Sequence, residues 1–332
     1  MTKIKVAQFG LGPIGVETLK LAASKPWVQI VGGIDIDPVK AGKSLADVTG
    51  IASLGSAKVF PSLNDSLAGA HKPEVVFHTA VSRLKDAFAQ IEPIVGQGIS
   101  VVSSCEELLF PALREPVLAT RLDQLCKSSN ARVLGTGVNP GFAMDVLPVC
   151  LTGVCRDVCA IHIQRVVNAS TRRGPLQKKI GSGLDPAEFE RLFASEKAGH
   201  AGLKDSAALI AHALGWKLTN LTETCHAVVA THHIRTPHVE VKAGQCCGLH
   251  QRAEASVNGK VVLTLDLRMY LDAADPHDAC QIEGDPPLNL TMKGGIAGDS
   301  ATVAALVNAA PRILKSPPGL LLMTDIAVPS CA

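Results

Sequence analysis

A glycine-rich turn stands between a strand-like run and a helix-like run at the start of the chain. Residues 4–9 (IKVAQF) are short and largely apolar, as a buried parallel strand is, and residues 16–24 carry apolar side chains at helical spacing. Gly10, Gly12 and Gly15 lie between the two runs in the pattern GxGxxG. The acid Asp35 ends the next strand-like run, about 20 residues further on, which is the spacing of a βαβ unit that binds a dinucleotide.

Each position of this loop has a physical reason for its residue. Gly10 allows the tight turn, Gly12 leaves room for a pyrophosphate, and Gly15 lets the helix pack closely on the sheet. The free N–H groups at the helix start, where Pro13 costs little, attract the phosphates. We therefore predict cofactor contacts from five loop residues: Gly10, Gly12, Pro13, Ile14 and Gly15.

Asp35 is expected to accept hydrogen bonds from the adenosine ribose and to repel a 2′-phosphate. No Arg follows it directly, and Lys40 is the nearest base. We therefore expect NAD as the cofactor and favour it over NADP, which remains the alternative.

Strand-like and helix-like runs alternate through the first half of the chain. Strands are expected at 28–34, 74–78, 99–103 and 132–135, with a helix at 84–96. This alternation predicts an α/β fold with a doubly wound parallel sheet of the Rossmann type. Ligands bind such sheets beyond the carboxyl ends of the strands. The candidates that follow strands are His78, Thr79, Ala80, Glu106, Glu107 and Asn139.

The second half has longer runs with partial alternation, typical of an α+β domain with a mixed or antiparallel sheet covered on one side by helices. Asn258-Gly259 predicts a two-residue hairpin turn. Strands are expected at 160–167, 225–231, 239–241, 253–257 and 260–270, and helices at 186–195, 202–214 and 299–313. The expected domains are a dinucleotide-binding domain (1–138), a substrate and dimerisation domain (139–297), and a C-terminal helix and tail returning to the first domain (298–332).

Composition excludes several classes of protein. Hydrophobic residues make up 47% and charged residues 19%, as in globular proteins, and a net charge of +2 with 3% aromatic residues argues against a nucleic-acid partner. The longest run without a charged residue, Pro93–Cys105, is too short to span a membrane. The start of the chain lacks the apolar region of a signal peptide, and its ten scattered cysteines form no pair of CxxC motifs. We expect a cytoplasmic protein without a metal site.

Five segments resemble the 2,4-diaminopentanoate dehydrogenases and the related native amine dehydrogenases, which are distant relatives of dihydrodipicolinate reductase. The resemblance implies a homodimer and an NAD(P)-dependent oxidative deamination of a primary amine, with the reverse reductive amination of a small ketone or aldehyde by ammonia. Whether the substrate is a simple amine or a diamino acid stays open. The segments are GLGPIG with GIDIDPVKAGK, VVSSCEEL (101–108), GVNPGFAMDVLP (137–148), TRRGPLQKKIG (171–181) and GDSATVAALVNAAPRIL (298–314).

Amine oxidation needs a base that takes a proton from the ammonium group, because only the free amine gives up hydride. The resemblance makes one of Glu106 and Glu107 this catalytic acid/base. We favour Glu106, the first residue past a loop of small residues. The alternative is that both acids cap a helix beginning near Leu108.

Several residues are candidates for binding the substrate. Asn139 orients the amine or the nicotinamide amide, or is a turn residue before Pro140. Phe142 and Met144 line an apolar wall or belong to the core. Arg165 and Asn168, on an expected strand, contact substrate or cofactor, and His200 enters the pocket. A substrate carboxylate would need a cation, for which the candidates are Arg172, Arg173, Lys178 and Lys179.

Two histidine positions allow alternatives. His78 contacts the nicotinamide ribose or is a core histidine. His232-His233 resembles the paired histidines of dihydrodipicolinate reductases, but Ile-Arg-Thr-Pro-His follows it in place of a lysine and a Ser-Gly-Thr loop. This departure argues against an imine reductase of that type. The remaining alternative is an NAD-sensing protein without turnover.

Overall fold

The computed structural model of the chain describes residues 3–55, 57–63, 65 and 72–331. The chain forms two compact units, Met1–Gly141 with Ala297–Ala332, and Phe142–Ile296. It leaves the first unit once and returns to it for its final segment. Each unit contains its own main sheet.

The first unit is built on a seven-stranded sheet in which every pair of neighbours is parallel. Its strands are β1 (Ile4–Phe9), β2 (Val28–Ile34), β3 (Val59–Phe60), β4 (Val75–His78), β5 (Ser100–Ser103), β6 (Arg132–Gly135) and β15 (Gly319–Leu321). The strand order is β15-β6-β5-β4-β1-β2-β3. The order reverses between β1 and β4, which creates the crevice where α/β sheets bind ligands. The predicted doubly wound sheet is confirmed.

Helices form layers beside this sheet. The first and last long helices of the unit pack against each other, and so do the two helices that flank β5 in the chain. A buried apolar cluster joins the second pair to the strands, with Phe88 and Ile91 against Val76 and Val101. The helices are α1 (Pro13–Ser24), α2 (Leu45–Thr49), α3 (Leu84–Gly96), α4 (Pro116–Ser128) and α9 (Gly298–Ile313).

The sequence-based expectations for this unit are largely confirmed. The strands at 4–9, 28–34 and 132–135 and the helix at 84–96 have the predicted bounds. Two strands were missed: β3 is two residues long and β15 three, too short to show a periodic pattern. The helix expected near Leu108 was wrong. Glu106–Leu108 is a single 3₁₀ turn, Pro111–Leu113 is another, and the α-helix begins only at Pro116.

The second unit contains a six-stranded mixed sheet. Its strands are β7 (Asp157–Asn168), β8 (Asn220–Val229), β11 (Cys246–Val257), β12 (Lys260–Tyr270), β13 (His277–Asp285) and β14 (Leu288–Lys293), in the order β14-β13-β7-β12-β11-β8. The two central strands, β7 and β12, are parallel and the other pairs are antiparallel. A separate ribbon pairs β9 (Ile234–Arg235) with β10 (Glu240–Val241). The predicted mixed sheet is confirmed.

The turn and the helices of this unit follow local sequence signals. Asn258 and Gly259 both have positive φ, 51° and 79°, as the predicted two-residue hairpin requires. The helices expected near 186–195 and 202–214 are present, and two shorter ones were not predicted. The four are α5 (Val146–Thr152), α6 (Gly174–Lys179), α7 (Pro186–Ala194) and α8 (Leu203–Ala213).

Strands β13 and β14 were missed, and in β13 the reason is physical. On β13, Asp278 occupies an inward position between the apolar Cys280 and the turn, and it is 3% exposed. A carboxylate at an inward position breaks the alternation of apolar and polar residues by which strands are recognised.

Within the described ranges, no helix is both long enough and apolar enough to cross a membrane.

Candidate functional site

The glycine loop has the geometry of a phosphate cradle. Gly10 adopts φ +87°, which favours glycine. A Cβ atom on Gly15 would collide with the carbonyl oxygen of Gly10, so only glycine lets α1 start this close to β1. A Cβ on Gly12 would meet no atom within 4 Å, so the loop is open where a pyrophosphate approaches. Helix α1 begins at Pro13, directly after this open position.

The side chains of Gln8 and Thr79 hold this loop through hydrogen bonds to the carbonyl oxygen of Gly10. Gln8 Nε2 donates to the carbonyl oxygen of Gly10 (3.0 Å) and to Thr79 Oγ1 (2.8 Å). Thr79 Oγ1 in turn donates to the same carbonyl oxygen (3.0 Å). A Cβ on Gly10 would lie 3.1 Å from Ala80 Cα. Thr79 and Ala80, predicted to contact the cofactor, therefore hold the loop in shape. Gln8 was missed; a polar residue inside an apolar strand was its signal.

Asp35 lies at the carboxyl end of β2, as predicted. Its Oδ2 accepts from the backbone N–H of Leu11 (2.8 Å) and from Lys40 Nζ (3.1 Å), and its Oδ1 accepts from the N–H of Asp37 (3.0 Å). Burial by itself raises the pKa of Asp35, but the hydrogen bonds from Asp37, Leu11 and Lys40 together lower it below its usual value. The carboxylate is ionised at neutral pH and connects the loop to β2.

Two exposed apolar side chains flank this acid. Ile36 is 84% exposed and Val39 is 66% exposed. An apolar surface beside the acid that is expected to bind the ribose suits the flat face of an adenine ring. The sequence analysis missed both, although apolar residues directly after the acid were the signal. Together with the open position at Gly12, they make this edge of the sheet fit an NAD-type dinucleotide.

His78 is buried in the sheet of the first unit, with both ring nitrogens hydrogen-bonded. Nδ1 lies 2.8 Å from Ser103 Oγ and Nε2 lies 2.8 Å from Gln90 Oε1. Burial lowers the pKa of His78, so the ring is neutral at pH 7. Of the two alternatives from the sequence, this arrangement corresponds to a core histidine that links α3 to the end of β5.

The adjacent acids Glu106 and Glu107 lie in the 3₁₀ turn that follows β5. Glu107 Oε2 accepts from the backbone N–H of Leu84, the first residue of α3, at 2.8 Å. Glu107 Oε1 also lies 3.9 Å from Arg114 Nε. The expectation that both acids cap a helix near Leu108 is thus corrected: Glu107 caps a helix, but the helix is α3.

The residue before Glu106, Cys105, is held by two hydrogen bonds. The Cys105 backbone N–H donates to Ser103 Oγ (3.0 Å), and the Cys105 thiol donates to the carbonyl oxygen of Ser82 (3.1 Å). Glu106 is half-buried at the carboxyl edge of the sheet. A carboxylate held there can exchange a proton with a bound ligand.

Asn139 follows β6, as predicted. Its side-chain oxygen and nitrogen are both buried, and neither has a hydrogen-bond partner among the described residues. Buried amide groups are normally hydrogen-bonded, so both atoms of this amide are available to a bound ligand or to water.

In the second unit, Arg165 forms a buried ion pair. Its Nη1 lies 2.6 Å from both oxygens of Asp278, and its Nη2 donates to the carbonyl oxygen of Ile296 (2.7 Å). The side chains of Arg165 and Asp278 are 2% and 4% exposed. The guanidinium predicted to bind substrate is therefore held by structural partners. Among the described residues, its Nε is buried and has no hydrogen-bond partner.

Asn168 ends β7, and its amide also serves local structure. It donates to the carbonyl oxygen of Ala273 (3.3 Å) and accepts from the N–H of Ser170 (2.9 Å). The loop that follows is held by Gln177, whose Nε2 donates to three carbonyl oxygens. These belong to Ala169, Ser170 and Arg172. The sequence analysis missed this buried glutamine.

His200 lies in a cationic environment within the second unit. Burial, followed by the charges of Lys179, Arg165 and Arg172, lowers its pKa to about 3, so the ring is neutral at pH 7. Its Nδ1 is buried without a partner in the described structure. Of the basic residues proposed for a carboxylate, Arg172 and Lys179 belong to this cluster.

The remaining candidates divide between surface and core. Phe142 is 40% exposed, as a pocket wall residue can be, whereas Met144 is fully buried. His232 and His233 are exposed and are hydrogen-bonded to the carboxylates of Asp272 and Glu240. No group of three His, Cys, Asp or Glu side chains with metal-site geometry is found among the described residues.

Comparisons with known proteins agree with this geometry. Residues 142–332 match the family model of the 2,4-diaminopentanoate dehydrogenase C-terminal domain. The chain is 31% identical to 2,4-diaminopentanoate dehydrogenase from Acetoanaerobium sticklandii, covering 99% of this chain and 95% of that protein. It is 24% identical to an amine dehydrogenase from Streptomyces virginiae, over 97% and 96% of the two chains.

The fold comparison agrees as well. The structure of amine dehydrogenase from Mycobacterium smegmatis superposes with a TM-score of 0.86 at 22% identity, covering 100% of this chain and 98% of that one. These matches confirm the resemblance that the motifs indicate. The chain belongs to the 2,4-diaminopentanoate dehydrogenase family.

Proposed function

We propose that this chain is an NAD(P)-dependent amine dehydrogenase that interconverts a primary amine with a carbonyl compound and ammonia. The observations that carry this proposal are the match to the 2,4-diaminopentanoate dehydrogenase family and a glycine loop that is open at Gly12, with a half-buried glutamate at the same edge of the sheet. We propose Glu106 as the acid/base, and Glu107 Oε2 accepts from the N–H of Leu84 in the first turn of α3. When bound, NAD(P) supplies the hydride acceptor.

The chemistry requires two proton transfers. The Glu106 carboxylate takes a proton from the substrate ammonium, and the free amine then loses hydride to give an iminium ion. Glu106 next assists the addition of water to the iminium carbon, and ammonia leaves. In sum, R₂CH–NH₃⁺, NAD(P)⁺ and water give R₂C=O, NH₄⁺, NAD(P)H and a proton. Asn139, with its unpartnered buried amide, orients the bound ligand.

The test compares NADH and NADPH oxidation by small ketones, aldehydes and 2-amino-4-oxopentanoate with and without ammonium. We expect turnover that depends on ammonium. Turnover without ammonium would mean simple carbonyl reduction and would overturn the proposal. Bound NADH without turnover across the panel would favour a sensor.

A matched pair of variants tests the assignment of Glu106. Glu106→Gln is expected to lower kcat by about 10²- to 10⁴-fold, the usual contribution of acid–base catalysis. Glu107→Gln keeps an oxygen acceptor for the Leu84 N–H and is expected to retain most activity. The opposite result would transfer the catalytic role to Glu107.

A diamino acid is the second candidate substrate. The 31% identity to 2,4-diaminopentanoate dehydrogenase supports this candidate, and Arg172 is the cation we test as a partner of the substrate carboxylate. We expect Arg172→Gln to raise KM for 2-amino-4-oxopentanoate and to leave KM for pentan-2-one unchanged. Equal effects on both would assign the chain to simple amines.

We further propose a cytoplasmic homodimer. The family resemblance supports the dimer, and size-exclusion chromatography with light scattering tests it. All ten cysteines are free thiols, which suits a reducing compartment. Fractionation of the native host would check the location.

A further inference from the structure

A chain of hydrogen bonds runs from helix α3, through the sheet of the first unit, to the residue before Glu106. Gln90 Oε1 lies 2.8 Å from His78 Nε2, and His78 Nδ1 lies 2.8 Å from Ser103 Oγ. The backbone N–H of Cys105 donates to Ser103 Oγ (3.0 Å). His78 and Ser103 are fully buried and lie opposite each other on the neighbouring strands β4 and β5. Buried groups therefore connect α3 to the backbone next to Glu106.

The chemistry of these groups gives each proton in the chain one position. The amide oxygen of Gln90 can only accept, so the Nε2 of His78 that faces it carries the ring proton. Burial lowers the pKa of His78, so the ring is neutral and its Nδ1 is an acceptor. The hydroxyl of Ser103 donates to Nδ1, and its oxygen lone pairs are then available to the N–H of Cys105. The histidine therefore orients the serine toward the backbone.

The bond between Ser103 and Cys105 sets the course of the chain just before Glu106. A serine hydroxyl that bonds the backbone two residues further on forms a local turn. The N–H of Leu108 then donates to the carbonyl oxygen of Cys105 (3.1 Å), which closes the 3₁₀ turn that contains Glu106. The direction in which this turn leaves the sheet thus depends on the Ser103 hydroxyl.

A second contact with α3 holds the turn on the other side of Glu106. Glu107 Oε2 accepts from the N–H of Leu84, the first residue of α3. Gln90 belongs to the same helix. The turn is therefore attached to α3 at two points, directly through Glu107 and indirectly through the buried chain that starts at Gln90 and ends at Cys105.

We propose that His78 and Ser103 are positioning residues for the Glu106 carboxylate. They act through the Cys105 N–H, which fixes the backbone from which the carboxylate extends. A displacement of about 1 Å at a reacting group can cost roughly 10²-fold in rate, so precise placement of this backbone matters. The inference rests on the proposed function of Glu106 as the acid/base and adds two buried residues to the same site.

Four variants separate positioning from a general loss of stability. Ser103→Ala removes the acceptor of the Cys105 N–H. Ser100→Ala is the matched control, because Ser100 is a buried serine at the opposite end of β5 and its Oγ accepts from the backbone N–H of Arg132 (3.2 Å). His78→Leu and His78→Asn give side chains of the same branched shape, but only asparagine keeps an acceptor at the place of Nδ1.

Two measurements are made on the wild type and on each variant. The first is kcat and KM for ammonium-dependent oxidation of NADH or NADPH, and the second is deuterium uptake of residues 104–108, followed by mass spectrometry. We expect Ser103→Ala and His78→Leu to lower kcat by about tenfold to 100-fold, with KM for the carbonyl substrate changed by less than about threefold. Both variants should also speed exchange in residues 104–108. Ser100→Ala should leave kcat and this exchange near those of the wild type, and His78→Asn should restore most of the kcat that His78→Leu loses.

Several results would overturn this inference alone. They are an unchanged kcat or unchanged exchange in Ser103→Ala, an equal loss of kcat in Ser100→Ala, and a kcat of His78→Asn no higher than that of His78→Leu. Far-UV circular dichroism verifies folding, and the two His78 variants decide the question if Ser103→Ala does not fold. A wild type without ammonium-dependent turnover would instead refute the proposed function, and the exchange data would still show whether the hydrogen bonds hold the turn.

Discussion

Truncating Asp278 to alanine removes one half of the buried ion pair of the second unit. The Asp278 carboxylate accepts from Arg165 Nη1 through both oxygens, and Oδ2 also accepts from the N–H of Ile296 (2.7 Å). Both charged side chains are almost fully buried. The guanidinium stays protonated at any practical pH, so the Asp278→Ala variant must bury an unpaired positive charge.

The expected loss follows from this burial. Breaking a buried pair by removing one partner costs about 3–5 kcal/mol of unfolding free energy, because the remaining charge stays desolvated. Replacing both partners with apolar residues of similar size removes that charge as well. The double variant Arg165→Met with Asp278→Leu is therefore expected to be more stable than Asp278→Ala and close to the wild type.

Urea denaturation followed by tryptophan fluorescence can measure the stability of the second unit separately. The chain has two tryptophans, Trp27 in the first unit and Trp216 in the second. In a Trp27→Phe background, the fluorescence of Trp216 reports the second unit alone. A loss below about 1 kcal/mol for Asp278→Ala, or a double variant no more stable than it, would refute the reasoning, since a buried unpaired charge must cost more than an apolar pair.

Three further predictions concern single residues. Gly15→Ala pushes α1 away from the carbonyl oxygen of Gly10 and is expected to abolish NADH binding in a fluorescence titration, with the second unit unaffected in hydrogen exchange. His200 has a pKa near 3 when folded and about 6.5 when unfolded, so stability falls as pH drops below 6.5, by up to about 1.4 kcal/mol per pH unit. His200→Gln should flatten that slope in urea titrations between pH 7 and 5. Glu107→Ala leaves the N–H of Leu84 without its acceptor and should cost about 1 kcal/mol by calorimetry, while Glu107→Gln costs less.

The parts of the fold that were predictable depend on local patterns. The strand–glycine–helix unit around Gly10 and the Asn258-Gly259 hairpin are specified by neighbouring residues, so periodicity and turn chemistry suffice. Strand β13 depends on Arg165, which lies 113 residues before its partner Asp278. No local pattern shows that a carboxylate can be buried there.

The candidate site likewise contains features that the local sequence predicts and features that it does not. The position of Glu106 and Glu107 at the sheet edge follows from the strand that precedes them. The capping of α3 by Glu107 does not, because Glu107 lies 23 residues away in sequence from Leu84, whose N–H it accepts. Likewise, Asp35 was predictable from its spacing, but the reach of Lys40 back to it depends on a turn that only the three-dimensional structure shows.

The return of the chain to its first unit has a consequence for biosynthesis. Helix α9 buries Val303, Leu306 and Val307, and β15 adds the outermost strand beside β6. A ribosome delivers these elements last, after the entire second unit has emerged. During translation the N-terminal sheet therefore lacks α9 and β15, and the apolar surface that they cover stays exposed. Phe142–Ile296 can already fold at that stage. We expect the nascent N-terminal half to expose aggregation-prone apolar surface, and the middle of the chain to reach its native state first.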